Sequence, residues 1–343
     1  MKLLIVTQTI DLEDPVLGFF VRWTEELSKR VEHTEVICLK GGTHDLPEAV
    51  RVHSLGKERG RPALGGLTYA CRFLSLAWRL RRDYDAVFVH MNQEYVILAG
   101  WLWKLLGKRI YMWRNHYAGS WATDLAAAFC TKVFCTSKHS YTAKYKKTVF
   151  MPVGVDTERF CPDSRVTRKP HSILFLARMA PSKRPEMLLD ALVMLARKNM
   201  PFTATFVGSP LPEDEPYYEG LRARAGTLGF GDRVTFLPAV PNDKTPDLYR
   251  AHAVFVNTSP SGMLDKTIFE AAACGCAVLA ASEDWNALVG GENYFDSSEK
   301  LADRLRNALE GSIKYQFETL IRQHSLGALA ASLITIFGYG VQE

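Results

Sequence analysis

Arg178 and Lys183 stand in "LARMAPSKRPEMLLDAL", the first at the end of an apolar run, the second just ahead of a helix opened by Pro185. Two cations beside a helix amino terminus form an anion site, because unpaired backbone N–H groups and the helix dipole add to their charge. A diphosphate suits that pattern; the plainer reading is two solvated cations in a surface loop. Glu270 opens the small-residue run "EAAACGCAVLAAS". Its carboxylate is placed either to accept both hydroxyls of a ribose or to close a capping box with Thr267 in "TIFE". The two uses are not exclusive.

Other candidates lie earlier in the chain. "IYMWRNHYAG" puts Arg114 and His116 just past a strand-like run, and "AVFVHMN" ends on His90 and Asn92 in the same way. A loop histidine is often merely structural, but the end of a strand is a common ligand position in open α/β sheets. Gly18, in "DPVLGFFVRW", opens a helix and has turn chemistry as its simplest explanation. The seven cysteines include no CxxC pair and lack nearby His or Cys partners, so zinc is not expected and reduced cytoplasmic thiols fit best. No GxGxxG follows the first strand, which argues against a nicotinamide enzyme. The paired carboxylates of a glycoside hydrolase cannot be located.

Such residues need a frame, and the periodicity supplies one. "KLLIVTQ", "EVICLK", "AVFVHM", "IYMWRN" and "VFCTS" read as buried strands, with helical spacing in "FFVRWTEELSKRV", "YACRFLSLAWRLRR" and "VILAGWLWKLLG". "FMPVGVDTERFCPDSRVTRKPH" is rich in proline and charge and reads as a linker. The alternation then resumes from "SILFLAR" to "AVLAAS", followed by helical "SEKLADRLRNALEG" and "HSLGALAASLITIFGYG". The pattern predicts two doubly wound parallel-sheet domains, over 1–155 and 156–317, facing across a cleft at the carboxyl ends of their strands. The closing helical stretch, about 318–343, is placed to pack back on the first domain.

The 343 residues are 47% apolar and 23% charged, a soluble globular balance. "MKLLIVTQTI" lacks the features of a signal peptide and reads as a first strand. The most apolar stretch, 95–106, is short and broken by Lys104, so no spanning helix is expected. Residues 1–155 carry 22 Lys+Arg against 14 Asp+Glu, whereas the remainder carries 20 against 23. The basic first half suits an anionic partner such as a phospholipid surface or a phosphorylated substrate. Trp101 and Trp103 in "GWLWKLLGKR" are candidates for the headgroup level, although burial in the core is the more ordinary use of that helix. No dense basic run interleaves with aromatics, so nucleic acid is not an expected partner.

"LARMAPSK" and "EAAACGCAVLAAS", in this order and joined by "VFVNTS", resemble a family 4 glycosyltransferase of the GT-B fold over almost the whole chain. The resemblance implies a retaining transfer of sugar from a nucleotide-sugar donor to a hydroxyl acceptor, such as a cell-envelope glycan or a lipid-linked sugar. It makes Arg178 and Lys183 the diphosphate ligands, Glu270 the ribose acceptor, His116 a cleft residue near the sugar, and Gly18 part of the loop near the phosphates. It implies no cofactor and no metal, with the two cations meeting the leaving diphosphate. It also implies a cytoplasmic protein, peripheral at the inner face of the membrane where the acceptor is lipid-linked. One motif departs from the family. Where the pattern has a first Glu and Gly-Phe-Gly, this chain has Gly262, Met263, Leu264, Asp265 and Lys266. Either Asp265 takes the missing carboxylate's role, or backbone N–H groups of Gly262 to Leu264 hold the sugar hydroxyls. Lys266 reads as a solvated partner of Asp265 or as a ligand for phosphate or an acidic sugar. A sugar-nucleotide epimerase and a non-catalytic nucleotide-sugar-binding protein share this design and remain the alternatives.

Overall fold

The computed structural model describes residues 1–60, 62, 64–262, 264–311 and 316–338. The chain divides into two compact units. One holds Met1–Gly154, Pro241–Asp243 and the segment from Leu326 onward; the other holds Val155–Val240 and Lys244–Ser325.

In the first unit the apolar runs become strands β1 (Lys2–Ile10), β2 (His33–Gly41), β3 (Val50–Ser54), β4 (Ala86–His90), β5 (Arg109–Trp113), β6 (Lys132–Cys135) and β7 (Thr148–Phe150). They pair in parallel in the order β3-β2-β1-β4-β5-β6-β7. Helices α1 (Phe19–Ser28), α2 (Gly66–Arg79), α3 (Gln93–Leu105) and α4 (Trp121–Phe129) connect them. Alternation along β1 explains why both faces need cover: Leu3 and Ile5 join one core, Leu4 and Val6 the other. The first core takes Phe20, Trp23 and Leu27 of α1; the second takes Phe73 of α2, Ala99 and Trp103 of α3, and Ala126 of α4.

The second unit contains β8 (Lys169–Leu176), β9 (Thr203–Val207), β10 (Val234–Leu237), β11 (His252–Asn257) and β12 (Ala277–Ala280), all parallel, in the order β10-β9-β8-β11-β12. Its helices are α5 (Pro185–Arg197), α6 (Glu215–Thr227), α7 (Thr245–Ala251), α8 (Lys266–Ala273), α9 (Glu283–Val289), α10 (Ser298–Leu309) and α11 (Glu318–Gln323). Leu188, Leu192 and Leu195 of α5 pack with Leu301 and Leu305 of α10 over Phe175 and Phe206. The last helix, α12 (Leu326–Gly338), belongs to the first unit, where Leu329, Leu333 and Phe337 enter the core that holds Phe20, Phe88 and Tyr111.

Each strand order reverses once, between β1 and β4 in the first unit and between β8 and β11 in the second. At such a point the connections leave toward opposite faces and open a crevice beyond the carboxyl ends of the two strands.

Candidate functional site

The loop after β8 carries Arg178, then a tight 3₁₀ turn, Pro181–Lys183. Arg184 follows in the left-handed conformation (φ 49°, ψ 45°) and Pro185 opens α5. That reversal turns two successive cations toward the end of β11. Lys183 Nζ donates to Ser259 Oγ at 3.0 Å and to Asp265 Oδ2 at 2.7 Å, while Arg184 Nε donates to the Thr258 carbonyl at 2.7 Å. The Thr258 hydroxyl returns a bond to the Lys183 carbonyl. Burial lowers the Arg184 guanidinium pKa, with Glu186 and Tyr294 opposing it. Arg178 is exposed at the mouth of the same loop. The strand crossing leaves little room beneath: a Cβ on Gly208, just past β9, would lie 1.9 Å from the Ala177 carbonyl oxygen.

Asp265 is the hub of this cluster. Besides Lys183 it accepts Ser259 Oγ at 2.5 Å and Asn257 Nδ2 at 3.1 Å. Burial pushes its pKa up, but the Lys183 charge and these three bonds outweigh that and hold it below the ordinary 3.8. A carboxylate with a depressed folded pKa contributes stability that is full above its unfolded value and lost as pH falls through the folded one. Melting temperature should therefore drop in acid below about pH 4, and Asp265→Asn should flatten that drop; a melting series in acid buffers reads this directly.

The capping-box expectation is corrected. Helix α8 starts at Lys266, with Asp265, two residues before Thr267, in the cap position and no side-chain capping bond. Glu270 instead points inward: it is 2% exposed, and its Oε2 accepts the Tyr249 hydroxyl at 3.2 Å. Tyr249, on α7, is fully buried, and burial first and Glu270 second raise its pKa well above the usual value. The reading of Lys266 as a solvated partner of Asp265 is also corrected, since Lys183 is that partner. Burial pulls the Lys266 pKa down, while Glu270 and Asp156 pull it back up. Gly262 (φ 96°) and the buried Leu264 (φ 34°) shape the preceding loop, and the Gly262 N–H donates to Asp284 Oδ2 at 3.3 Å. That amide is already committed within the protein. Met263 lies outside the described residues.

In the first unit the carboxyl ends of β1, β4 and β5 bring forward the remaining candidates. Gly18 has an ordinary φ of −54°; what excludes a side chain is closeness, since a Cβ there would meet the Asp14 and Leu12 carbonyl oxygens at 2.7 and 2.9 Å. His90 is buried with its ring stacked on Phe20 at 4.0 Å, and Asn92 occupies the cap position of α3. Arg114 reaches back to the Met91 carbonyl at 3.5 Å, and burial lowers its pKa. His116 is fixed on three sides: its Nδ1 accepts the Ala118 N–H at 2.9 Å, its own N–H donates to Ser140 Oγ at 3.2 Å, and its ring stacks on Tyr117 at 4.5 Å. The same Nδ1 also lies 3.2 Å from the Ala118 carbonyl oxygen. Among the described residues, no group of three or more His, Cys, Asp or Glu side chains is arranged to hold a metal ion.

Arg184, Tyr249, Ser259 and Asp284 were not singled out from the sequence. Arg184 sits next to Lys183 in "SKRP" and could have been read with it as a second cation ahead of the helix. Tyr249 and Asp284 join the site through contacts 21 and 22 residues away, and Ser259 through Asp265 and the distant Lys183.

Residues 170–311 match the family model described as Glycosyl transferases group 1. A D-inositol 3-phosphate glycosyltransferase of Acidothermus cellulolyticus is 32% identical over 153 residues, 41% of this chain and 34% of that protein. One from Nocardia farcinica is 28% identical over 199 residues, 55% of this chain and 41% of that protein. The chain thus matches between a third and about two fifths of these curated relatives' length. Among solved structures, Anabaena HepE in complex with UDP and glucose superimposes with a TM-score of 0.79 at 19% identity, covering 99% of this chain and 100% of that one. Sucrose-phosphate synthase from Thermosynechococcus elongatus gives 0.68 at 16% identity, covering 98% and 100%. Two parallel-sheet units with these neighbours make the fold GT-B, and residues 170–311, nearly all of them in the second unit, are similar to the glycosyl transferases group 1 family.

Proposed function

We propose that this protein transfers a sugar, with retention of anomeric configuration, from a nucleotide-sugar donor to a hydroxyl of a glycan or lipid-linked acceptor. The observation that carries the reading is the gathering of Arg178, Lys183 and Arg184 at the strand reversal of the second unit, ahead of α5 and beside α8. A nucleoside diphosphate at this crevice meets fixed cations and two helix amino termini. Complexes of the structural neighbour HepE with UDP and with UDP-glucose support a nucleotide-sugar donor.

The chemistry asked of the protein is positioning and charge stabilisation. As the bond from the anomeric carbon to the diphosphate breaks, negative charge grows on the leaving oxygen, which Lys183 and Arg178 stabilise. The leaving oxygen accepts the proton of the acceptor hydroxyl as that oxygen bonds to the same face of the sugar. Glu270, oriented by Tyr249, is assigned to the ribose, and His116 to the sugar. Where the acceptor is lipid-linked, the protein works at the cytoplasmic face of a membrane. Incubation with radiolabelled UDP-sugars and a membrane extract tests the reading: label should pass to an extractable acceptor. Release of a free rearranged sugar without acceptor would mean an epimerase, and donor binding without turnover would mean a binding protein.

A further inference from the structure

Helices α2, α3 and α4 form one layer over the second core of the first unit, α3 packing against α2 on one side and α4 on the other. Their inward residues account for that core, and the outward ones should be polar. Several are large and apolar instead. Trp78 on α2 and Trp101 on α3 are each 51% exposed, Leu105 on α3 is 79% exposed, and Trp121 at the start of α4 is 76% exposed. Leu67 and Leu125 are exposed on the same helices. Trp103 faces the other way: it is buried and donates its Nε1–H to Tyr84 Oη at 3.0 Å, the core use of this helix rather than a place at the headgroup level.

The position of these tryptophans defines a face. α2 and α3 finish just before β4 and β5, so Trp78 and Trp101 lie toward the amino-terminal edge of the sheet. Trp121 begins the helix after β5 and lies toward the carboxyl edge. Apolar side chains at both ends mark the outer surface of the layer. Its charge is basic: residues 66–130 contain 8 Lys+Arg against 4 Asp+Glu. Arg79, Arg82 and Lys104 are exposed, and the Arg81 guanidinium lies 4.2 Å over the Trp78 ring. Exposed tryptophan bordered by cations matches the headgroup region of an anionic bilayer, where an indole has apolar and wet surroundings at once and each cation gains from the surface potential. No described helix is long and apolar enough to cross a membrane.

We infer that the outer face of α2, α3 and α4 docks flat on an anionic lipid surface. Docked this way, the carboxyl edge of the first sheet, with the His116 loop, stands beside the bilayer within reach of a lipid-linked hydroxyl. The inference deepens the acceptor reading above. Its test uses no donor, so failure here leaves the diphosphate site standing, and loss of UDP binding leaves vesicle docking standing.

The experiment compares sedimentation of the full chain with phosphatidylcholine vesicles and with vesicles containing phosphatidylglycerol. Binding at low salt should be at least about tenfold tighter to the anionic vesicles and should weaken as the screening length shrinks to about 8 Å at physiological salt. Replacing Trp78, Trp101 and Trp121 together with Ser should abolish sedimentation, and Arg82→Glu with Lys104→Glu should remove the preference for anionic lipid. Because the triple variant exposes its fold to question, a second readout uses the unaltered protein. Brominated lipids should quench its tryptophan fluorescence, and the emission should shift to the blue. Equal recovery in the supernatant with both vesicle types overturns the inference, as does unchanged binding by the variants. A stable dimer by light scattering that shields these tryptophans would assign the face to a second copy instead.

Discussion

Lys183→Ala is expected to do two kinds of damage, and Arg178→Ala only one. On the proposed function both remove a charge-assisted contact to a diphosphate, about 1.5–3 kcal/mol each, so UDP affinity should fall roughly tenfold to a hundredfold. Arg178 is exposed, and its loss should leave the melting temperature nearly unchanged. Lys183 is the ion-pair partner of Asp265 at 2.7 Å in a largely buried cluster. Its removal strands a carboxylate, at a cost of about 2–4 kcal/mol given that the pair keeps some solvent contact. Pairing Lys183→Ala with Asp265→Ala should restore much of the stability without restoring UDP binding. Calorimetry with UDP and thermal melts on the same four proteins separate the two effects. Undiminished affinity in both single variants would falsify the diphosphate assignment.

Glu270 carries the second large effect. Glu270→Ala leaves the Tyr249 hydroxyl without this acceptor and removes the charge that opposes deprotonation of Lys266. The expected destabilisation is about 2–4 kcal/mol. Glu270→Gln keeps an oxygen for Tyr249 and should cost much less stability, yet it loses charged acceptance of a ribose. UDP affinity should therefore drop in both variants, while melting drops strongly only in the first. A Gln variant that binds UDP as the parent does would leave Glu270 with a purely structural role beneath α8.

How far the sequence reaches is clear from individual elements. The five strands of the second unit are legible because each centres on a short apolar run, from "SILFL" to "AVLA". In the first unit β3 and β7 escape notice. The first, "VRVHS", alternates with polar residues, and the second has three residues; both are edge strands with one neighbour. Helix α4 is short and rich in alanine, so its periodicity is faint. The cations of the site are legible because Arg178 and Lys183 act from one loop. Asp265 and Glu270 stand out as candidates as well, but their partners do not. Asp265 meets Lys183 across 82 positions, and Glu270 meets Tyr249 across 21 and from another helix. "TIFE" satisfies the capping rule, but α8 begins ahead of it and leaves Thr267 and Glu270 within the helix.

The return of α12 to the first unit has a consequence for synthesis. Leu329, Leu333 and Phe337 complete a core whose other members lie before Gly154, so that core stays open while the whole second unit is made. At ribosomal rates of about 5–20 residues per second the wait is on the order of ten seconds or more. Throughout that interval the nascent chain presents Phe20, Phe88 and Tyr111 without the helix that covers them. The first unit is therefore the one a chaperone must guard. Chains cut short before Leu326 should be captured by holdases, even though their second unit is nearly complete.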